Sequence, residues 1–156
     1  MKKNIPYAEI KQGGWIYFAS EDIDQLDDEK SGKWMHWFKD QAFAVEICRK
    51  AMSEGVCIEC KCLDLSATKA TKGVICFYAN GDDVKAHKRI ITFMLKNDLI
   101  PKTNENRLFN ISFKFDSQTR AGEYGKTFES KLSLDQFVDL HSHKWVCKKA
   151  RATCTG

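Results

Sequence analysis

Proline is scarce: only Pro6 and Pro101 occur in 156 residues, and no glycine- or serine-rich linker, repeat or low-complexity tract interrupts the chain. With no seam to divide it, residues 1–156 read as a single domain with a frayed basic tail from about residue 148, large enough to hide roughly two-thirds of its unfolded surface. No apolar run approaches the roughly 20 residues that cross a bilayer, so no membrane partner is expected. The lysines at the start of MKKNIPYAEIKQGGW have no apolar stretch behind them of the kind a secretory signal needs, which points to the cytoplasm. Glycine-rich phosphate loops are missing too: Gly73 and Gly81 flank a strand-like segment without GxGxxG or GxxxxGKS/T context. The formal net charge of +4 favours anionic partners but is too small to call for duplex DNA.

Cysteine, by contrast, is plentiful, with seven residues at 48, 57, 60, 62, 76, 147 and 154. In a chain read as cytoplasmic, an odd number is more simply explained by reduced thiols than by a disulfide framework. Cys57-x-x-Cys60-x-Cys62 resembles a zinc half-site. A strand through these residues would send Cys60 and Cys62 to one side with Val56 and Ile58, and Cys57 to the other. No second CxxC is present, so buried structural cysteines are expected, with no metal and no cofactor.

Apolar patterning divides the chain into strands and helices. Residues 14–19 (GWIYFA) predict a strand, the acidic SEDIDQLDDEK a loop or short turn, and SGKWMHWFK at 31–39 a second strand. After Asp40, which can cap, Phe43, Ile47, Cys48, Ala51 and Met52 recur at helical spacing until Gly55 stops the run. VCIECKCL (56–63) and GVICFYA (73–79) predict two central strands, the second closed by Asn80-Gly81. From Asp82 onward, Val84, Ile90, Ile91, Met94 and Leu95 make one face of the most regular helix, with Lys85, Lys88, Arg89 and Lys96 off that face. LFNISFKF (108–115) alternates as a strand before the polar turn DSQTRAGEYG. Residues 133–140 predict a short helix and KWVCKK a last strand. Without a strict βαβ rhythm, the expected fold is α+β: a mainly antiparallel sheet with two to three helices packed on one face.

Three lysines lie inside predicted strands: Lys33 in GKWM, Lys61 in CKCL and Lys114 in FKFD. Each must reach an edge or share a polar pocket, because burying its charge alone costs several kcal/mol. If sheet pairing gathers them they form an anion site, and an aromatic on the same surface suits a nucleotide or RNA. If each faces solvent on its own strand, they are ordinary surface lysines. In SGKWMHWFK the two tryptophans point opposite ways: Trp34 shares a face with His36 and Phe38, Trp37 with Lys33, Met35 and Lys39. Which face meets the helices is left open by the pattern. His36, His87, His141 and His143 could supply a base, and Cys60 or Cys76 a nucleophile, but no local signature links them.

SGKWMHWF, the pair ECKCL and GVICFYANGDD with the helix after it, and FKFDSQTRAGEYG together resemble the basophilic-leukaemia-expressed protein family, whose bacterial members are often labelled phosphothreonine lyase domain proteins. The similarity spans most of residues 15–125. That family is similar in fold to the messenger-RNA cap-binding translation initiation factor. The resemblance therefore implies a curved antiparallel sheet, helices across its convex back, and a ligand surface on the concave side or rim. On the matching motif positions it implies Lys33, Trp34, Lys61, Lys114, Asp116 and Tyr124 as site residues; Arg120, in the same loop, joins them on chemical grounds. Cap recognition is not carried over, since a second base-clamping tryptophan and an edge-pairing glutamate have no assigned counterparts. The lyase label implies β-elimination by a base and an acid around an arginine-held phosphate, yet the motif of characterised lyases is not present.

The expected function is a binding module for a phosphate-bearing ligand: an anionic small molecule such as a nucleotide, an RNA end or a phosphopeptide. One alternative is an enzyme acting on phosphorylated substrates, with Lys61 or Lys114 as base and His36 as acid. Another is a small phage or host-defence protein that acts as an inhibitory factor through a protein partner.

Overall fold

The computed structural model describes residues 5–123 and 130–146. Among them the strands are β1 (Tyr7–Gln12), β2 (Trp15–Ser20), β3 (Ser31–Phe38), β4 (Glu59–Leu63), β5 (Gly73–Asn80), β6 (Ser112–Phe115) and β7 (Leu132–Ser133). The α-helices are α1 (Gln41–Ser53), α2 (Val84–Lys96) and the five-residue α3 (Asp116–Arg120). The strands form one open, curved sheet in the order β1-β2-β4-β5-β3-β6-β7, with every neighbouring pair antiparallel. The architecture is α+β, as the patterning predicts. No helix of the described residues is long and apolar enough to cross a membrane.

Register explains where the core lies. Phe18 pairs with Cys60, Cys60 with Phe77 and Phe77 with Trp34, so one row crosses four strands, and all four side chains are 0% exposed. Alternation puts these residues on one face, and α1 and α2 cover it. From α1, Ala44, Ile47, Cys48, Ala51 and Met52 point inward; from α2, Ala86, His87, Ile90, Ile91, Phe93 and Met94 do so. The Phe93 ring meets Phe77 edge-on with centroids 5.9 Å apart. Asp40 caps α1 as expected, accepting from the Ala42 and Phe43 N–H groups, whereas α2 is capped by Asp83, one residue after the expected start at Asp82, accepting from Ala86 N–H.

The indole of Trp34 carries a polar group into this core, and it is satisfied there. Its Nε1–H donates to His87 Nδ1 at 3.0 Å, and His87 Nε2 donates to the Gly81 carbonyl at 2.8 Å. Accepting at Nδ1 and donating at Nε2 defines the neutral imidazole in one tautomer. Protonation would set two N–H groups against each other in a dry site.

Several expectations change at the edges of the structure. β1 carries no apolar period and is almost wholly exposed, yet it pairs along its whole length with β2 through the two-residue turn Gly13-Gly14, at φ 60° and 85°. Positive φ at both turn positions is the geometry that tight hairpins require and glycine supplies. The strand expected over 108–115 is confined to Ser112–Phe115, with Leu108 making only an isolated bridge to Lys102. The helix expected at 133–140 is a single 3-10 turn, Leu134–Gln136, and of KWVCKK the described part makes one bridge, Trp145 to Val138. Two helices pack on the core face, within the two to three expected, and α3 stands beyond β6 on the other side. The basic tail lies outside the described residues.

Cys57 also departs from the expected strand geometry. β4 begins at Glu59, so Cys57 precedes the strand and is not thrown to the opposite face; it is buried in the same cluster as Cys60, Cys62 and Cys48. The five described cysteines are free and buried. Among the described residues, no group of three His, Cys, Asp or Glu side chains could hold a metal ion.

Burial lowers the proton affinity of both His87 and His36 below the ordinary histidine value. The unfolded chain then takes up protons first as pH drops through about 6.5, so the native state loses stability on acidification. Urea unfolding between pH 7.5 and 5.5 should show ΔG falling by up to about 1.4 kcal/mol per pH unit for each of the two histidines. A ΔG that is flat or rises over this window would contradict the buried neutral pair.

Candidate functional site

The face turned away from α1 and α2 carries the odd-numbered residues of β3. Across it, Tyr78, Lys33 and Lys114 make one row over β5, β3 and β6. Tyr17, Lys61, Cys76 and Met35 make the next, over β2, β4, β5 and β3. β6 approaches β3 this closely because residue 32 is glycine: a Cβ there would lie 2.6 Å from the Lys114 carbonyl oxygen and the Phe113 ring. The close approach sets two lysines directly opposite each other, which is unfavourable unless something compensates.

Compensation comes from α3. Its first residue, Asp116, accepts from Lys33 Nζ at 2.9 Å through one oxygen and from Ser31 Oγ at 2.8 Å through the other. Thr119, one turn on, is 2.9 Å from the same ammonium. α3 is tied down by buried Gln118, whose Oε1 accepts from Phe115 N–H at 3.2 Å, and by Arg120, whose Nη2 donates to the Asp28 carbonyl at 3.1 Å. Lys33 is thereby partnered at only 7% exposure. Lys114, at 9%, has its proton affinity lowered by burial first and by the Lys33 charge second.

Beside this cluster the open face sinks into a hollow of about 480 Å³. Lys33, Lys61 and Arg120 line it, from β3, β4 and α3, together with Tyr17 and Tyr78; Asp28, Glu59 and Asp116 line it too. Lys61 is held by rings: its Nζ sits 4.0 Å from the centroid of Trp15, 5.5 Å from Tyr17 and 5.9 Å from Tyr78. Burial raises the Glu59 carboxyl above the ordinary range, against the pull of the Lys61 charge, so its negative charge is held less firmly than that of an exposed carboxylate. A smaller hollow of about 330 Å³ lies where Lys88, Arg89 and Lys96 of α2 meet Glu54. It follows the solvated face of that helix, and Arg89 there is engaged with the Val56 carbonyl at 3.3 Å.

Of the expected site residues, Lys33, Lys61, Asp116 and Arg120 line the larger hollow. Lys114 is the cross-strand neighbour of Lys33 but is not among the lining residues. Trp34 is placed elsewhere: alternation turns it to the helical face, where it is fully enclosed and cannot touch a ligand in the hollow. Tyr124 lies outside the described residues. Tyr17, Tyr78 and Glu59 were not anticipated; their signal is parity, since each alternates with core residues in WIYFAS, GVICFYAN and ECKCL.

Neither the acid nor the nucleophiles considered for an enzyme line the hollow, although Cys76 lies on the same face, as the cross-strand neighbour of Lys61. His36 faces α1, with its ring against Phe43 and its Nδ1 on the Leu99 carbonyl at 2.7 Å. Burial pushes the Cys76 thiol up to about 11 and raises the Cys60 thiol well above its ordinary value, which leaves both protonated and poor nucleophiles. The molecule is an open-faced α+β sheet protein with a hollow of cations and tyrosines on its uncovered side. No known family model matches the chain, and no curated protein sequence matches it significantly.

Removing the carboxylate should expose how much Lys33 depends on it. Asp116→Ala should cost about 2–3 kcal/mol in chemical denaturation, because a nearly buried ammonium loses its charged partner. Adding Lys33→Met to that variant should restore part of the loss. A double variant no more stable than Asp116→Ala alone would show that the pair is not the source.

Proposed function

We propose that this chain is a non-enzymatic binding module for a phosphate-bearing ligand seated on the open face of the sheet. The observation that carries the proposal is the convergence of Lys33, Lys61 and Arg120, from three separate elements, on one hollow that also presents Tyr17 and Tyr78. Ammonium and guanidinium groups offer charge-assisted hydrogen bonds to phosphate, and the rings offer stacking surface. Asp116 cancels the Lys33 charge, so the cations left for a ligand in the hollow are chiefly Lys61 and Arg120. Asp116 is committed to Lys33 and Ser31, and burial favours the neutral form of Glu59. Lys61, lying against ring faces, keeps its N–H donors for a ligand. The separation of His36 from the lysines and the protonated thiols favour binding over catalysis.

The resemblance to the basophilic-leukaemia-expressed family belongs to the same proposal, since a helical back and an open ligand face are what it implies. Buried free thiols suit a reducing compartment such as the cytoplasm.

Isothermal calorimetry with nucleoside 5′-phosphates, 5′-phosphorylated oligonucleotides and a phosphothreonine peptide should give saturable heat for at least one of them. Lys61→Ala should weaken that binding about 10- to 150-fold, the loss of a charge-assisted contact worth about 1.5–3 kcal/mol. Absence of heat and of any tryptophan fluorescence change across the panel would overturn the proposal.

A further inference from the structure

We infer that the phosphate-bearing ligand is a single-stranded nucleic acid, which leaves the hollow and crosses β5 and β3 to a second aromatic station at Trp37. The inference rests on the reading of the hollow and adds a path and a ligand class to it.

Trp37 is 58% exposed, the highest value among the large exposed hydrophobic side chains of the described residues. It belongs to the same face as Lys33, four residues further along β3, which is roughly 13 Å of strand. Core packing does not account for it, because neither α1 nor α2 covers the face it occupies. Its ring is instead approached by a cation, Lys72 Nζ at 5.5 Å from the centroid. The same pairing stands at the other end of the path, where Lys61 lies 4.0 Å from the Trp15 ring. Among the described residues, Trp15, Tyr17 and Tyr78 thus share the Lys61 ammonium within 6 Å, and Trp37 has that of Lys72.

A repeated unit of ring plus lysine matches a repeated unit of base plus phosphate. Each ring offers a π-face to an unpaired base, and each lysine, on its flexible stem, reaches the adjoining phosphate. Lys72 ends a loop whose Thr68 methyl contacts the β1–β2 turn, 3.4 Å from where a Cβ on Gly14 would lie, so this basic segment borders the same end of the sheet. Met35 and Val74 lie on the sheet surface between the two stations. A lone nucleotide would fill the hollow and leave the Trp37–Lys72 pair without a role. A phosphopeptide accounts for the cations but not for ring and cation recurring together. Duplex bases, already stacked and paired, cannot use the rings.

The test is fluorescence anisotropy with a labelled single strand of about ten nucleotides, as oligouridylate and as oligothymidylate, within the roughly 4–16 nucleotide range of comparable single-strand sites. The single strand should bind at least ten times tighter than uridine 5′-monophosphate and than a duplex of the same length. Trp37→Ala, which removes an exposed side chain and whose fold is checked by circular dichroism, should weaken it by about 5- to 150-fold, the span of one stacked base, while leaving mononucleotide binding unchanged. Lys72→Ala should reduce the slope of log K against log salt by about 0.7, one phosphate contact. Single-strand binding no tighter than mononucleotide binding, equal duplex binding, or indifference to Trp37→Ala would each overturn the inference. Mononucleotide or phosphopeptide binding that still needs Lys61 would then leave the hollow standing. Binding that needs Trp37 but not Lys61 would instead uphold the path and remove the hollow from it.

Discussion

Everything in this molecule depends on the alternation of β3. Trp34 and Lys33 are consecutive residues at the middle of the sheet, one turned into the core and the other toward the open face. Neither can change places with the other. A slip of one residue in register would bring an ammonium under the helices and an indole into the hollow, with every neighbouring pair reversed as well. The Trp34–His87 hydrogen bond on one side and the Lys33–Asp116 pair on the other act as two polar pins through the same strand, and each is satisfied only in the observed register. The row Phe18–Cys60–Phe77–Trp34 contributes hydrophobic force through side chains with no exposed surface. The pins supply uniqueness.

The open face is organised by the costs of holding charge there. Two lysines face each other across β3 and β6 because Gly32 lets those strands close up, and the short α3 brings the carboxylate and hydroxyl that make one of them tolerable. Lys61 is accommodated differently, by the negative faces of three rings. Both solutions leave cations fixed in place and partly dehydrated before any ligand arrives. Pre-ordering of this kind lowers the entropy lost on binding, since the long side chains are already held.

Much of this was legible in the sequence, and the parts that were not have physical causes. The cap Asp40, the period of α2 and the runs of β2, β3 and β5 could be read because each expresses a local preference. That the tryptophans of SGKWMHWF diverge followed from period two alone, and so did the grouping of Trp34 with Phe38. Which of the two faces is covered did not follow, because that depends on where α1 and α2 return. Alternation marks Tyr17, Tyr78 and Glu59 locally as facing away from the core, but that they meet at one hollow depends on the register of β2, β4 and β5, a long-range property. β1 is held by backbone pairing to β2 and exposes nearly all of its side chains, so it has no apolar period to detect. Cys57 was misplaced because β4 starts later than its composition implies.

The central claim, that the uncovered face of the sheet is where a ligand sits, can be read from the four tryptophans. Trp15 and Trp37 lie on that face, Trp34 is enclosed beneath α2, and Trp145 stands by Lys88 of α2. Their indole N–H groups give separate signals in a proton–nitrogen correlation spectrum of the full chain. On titration with a 5′-phosphorylated single-stranded oligonucleotide, the Trp15 and Trp37 signals should move and saturate together while those of Trp34 and Trp145 stay in place. Saturating shifts at Trp34 or Trp145 with Trp15 and Trp37 unmoved would contradict the account.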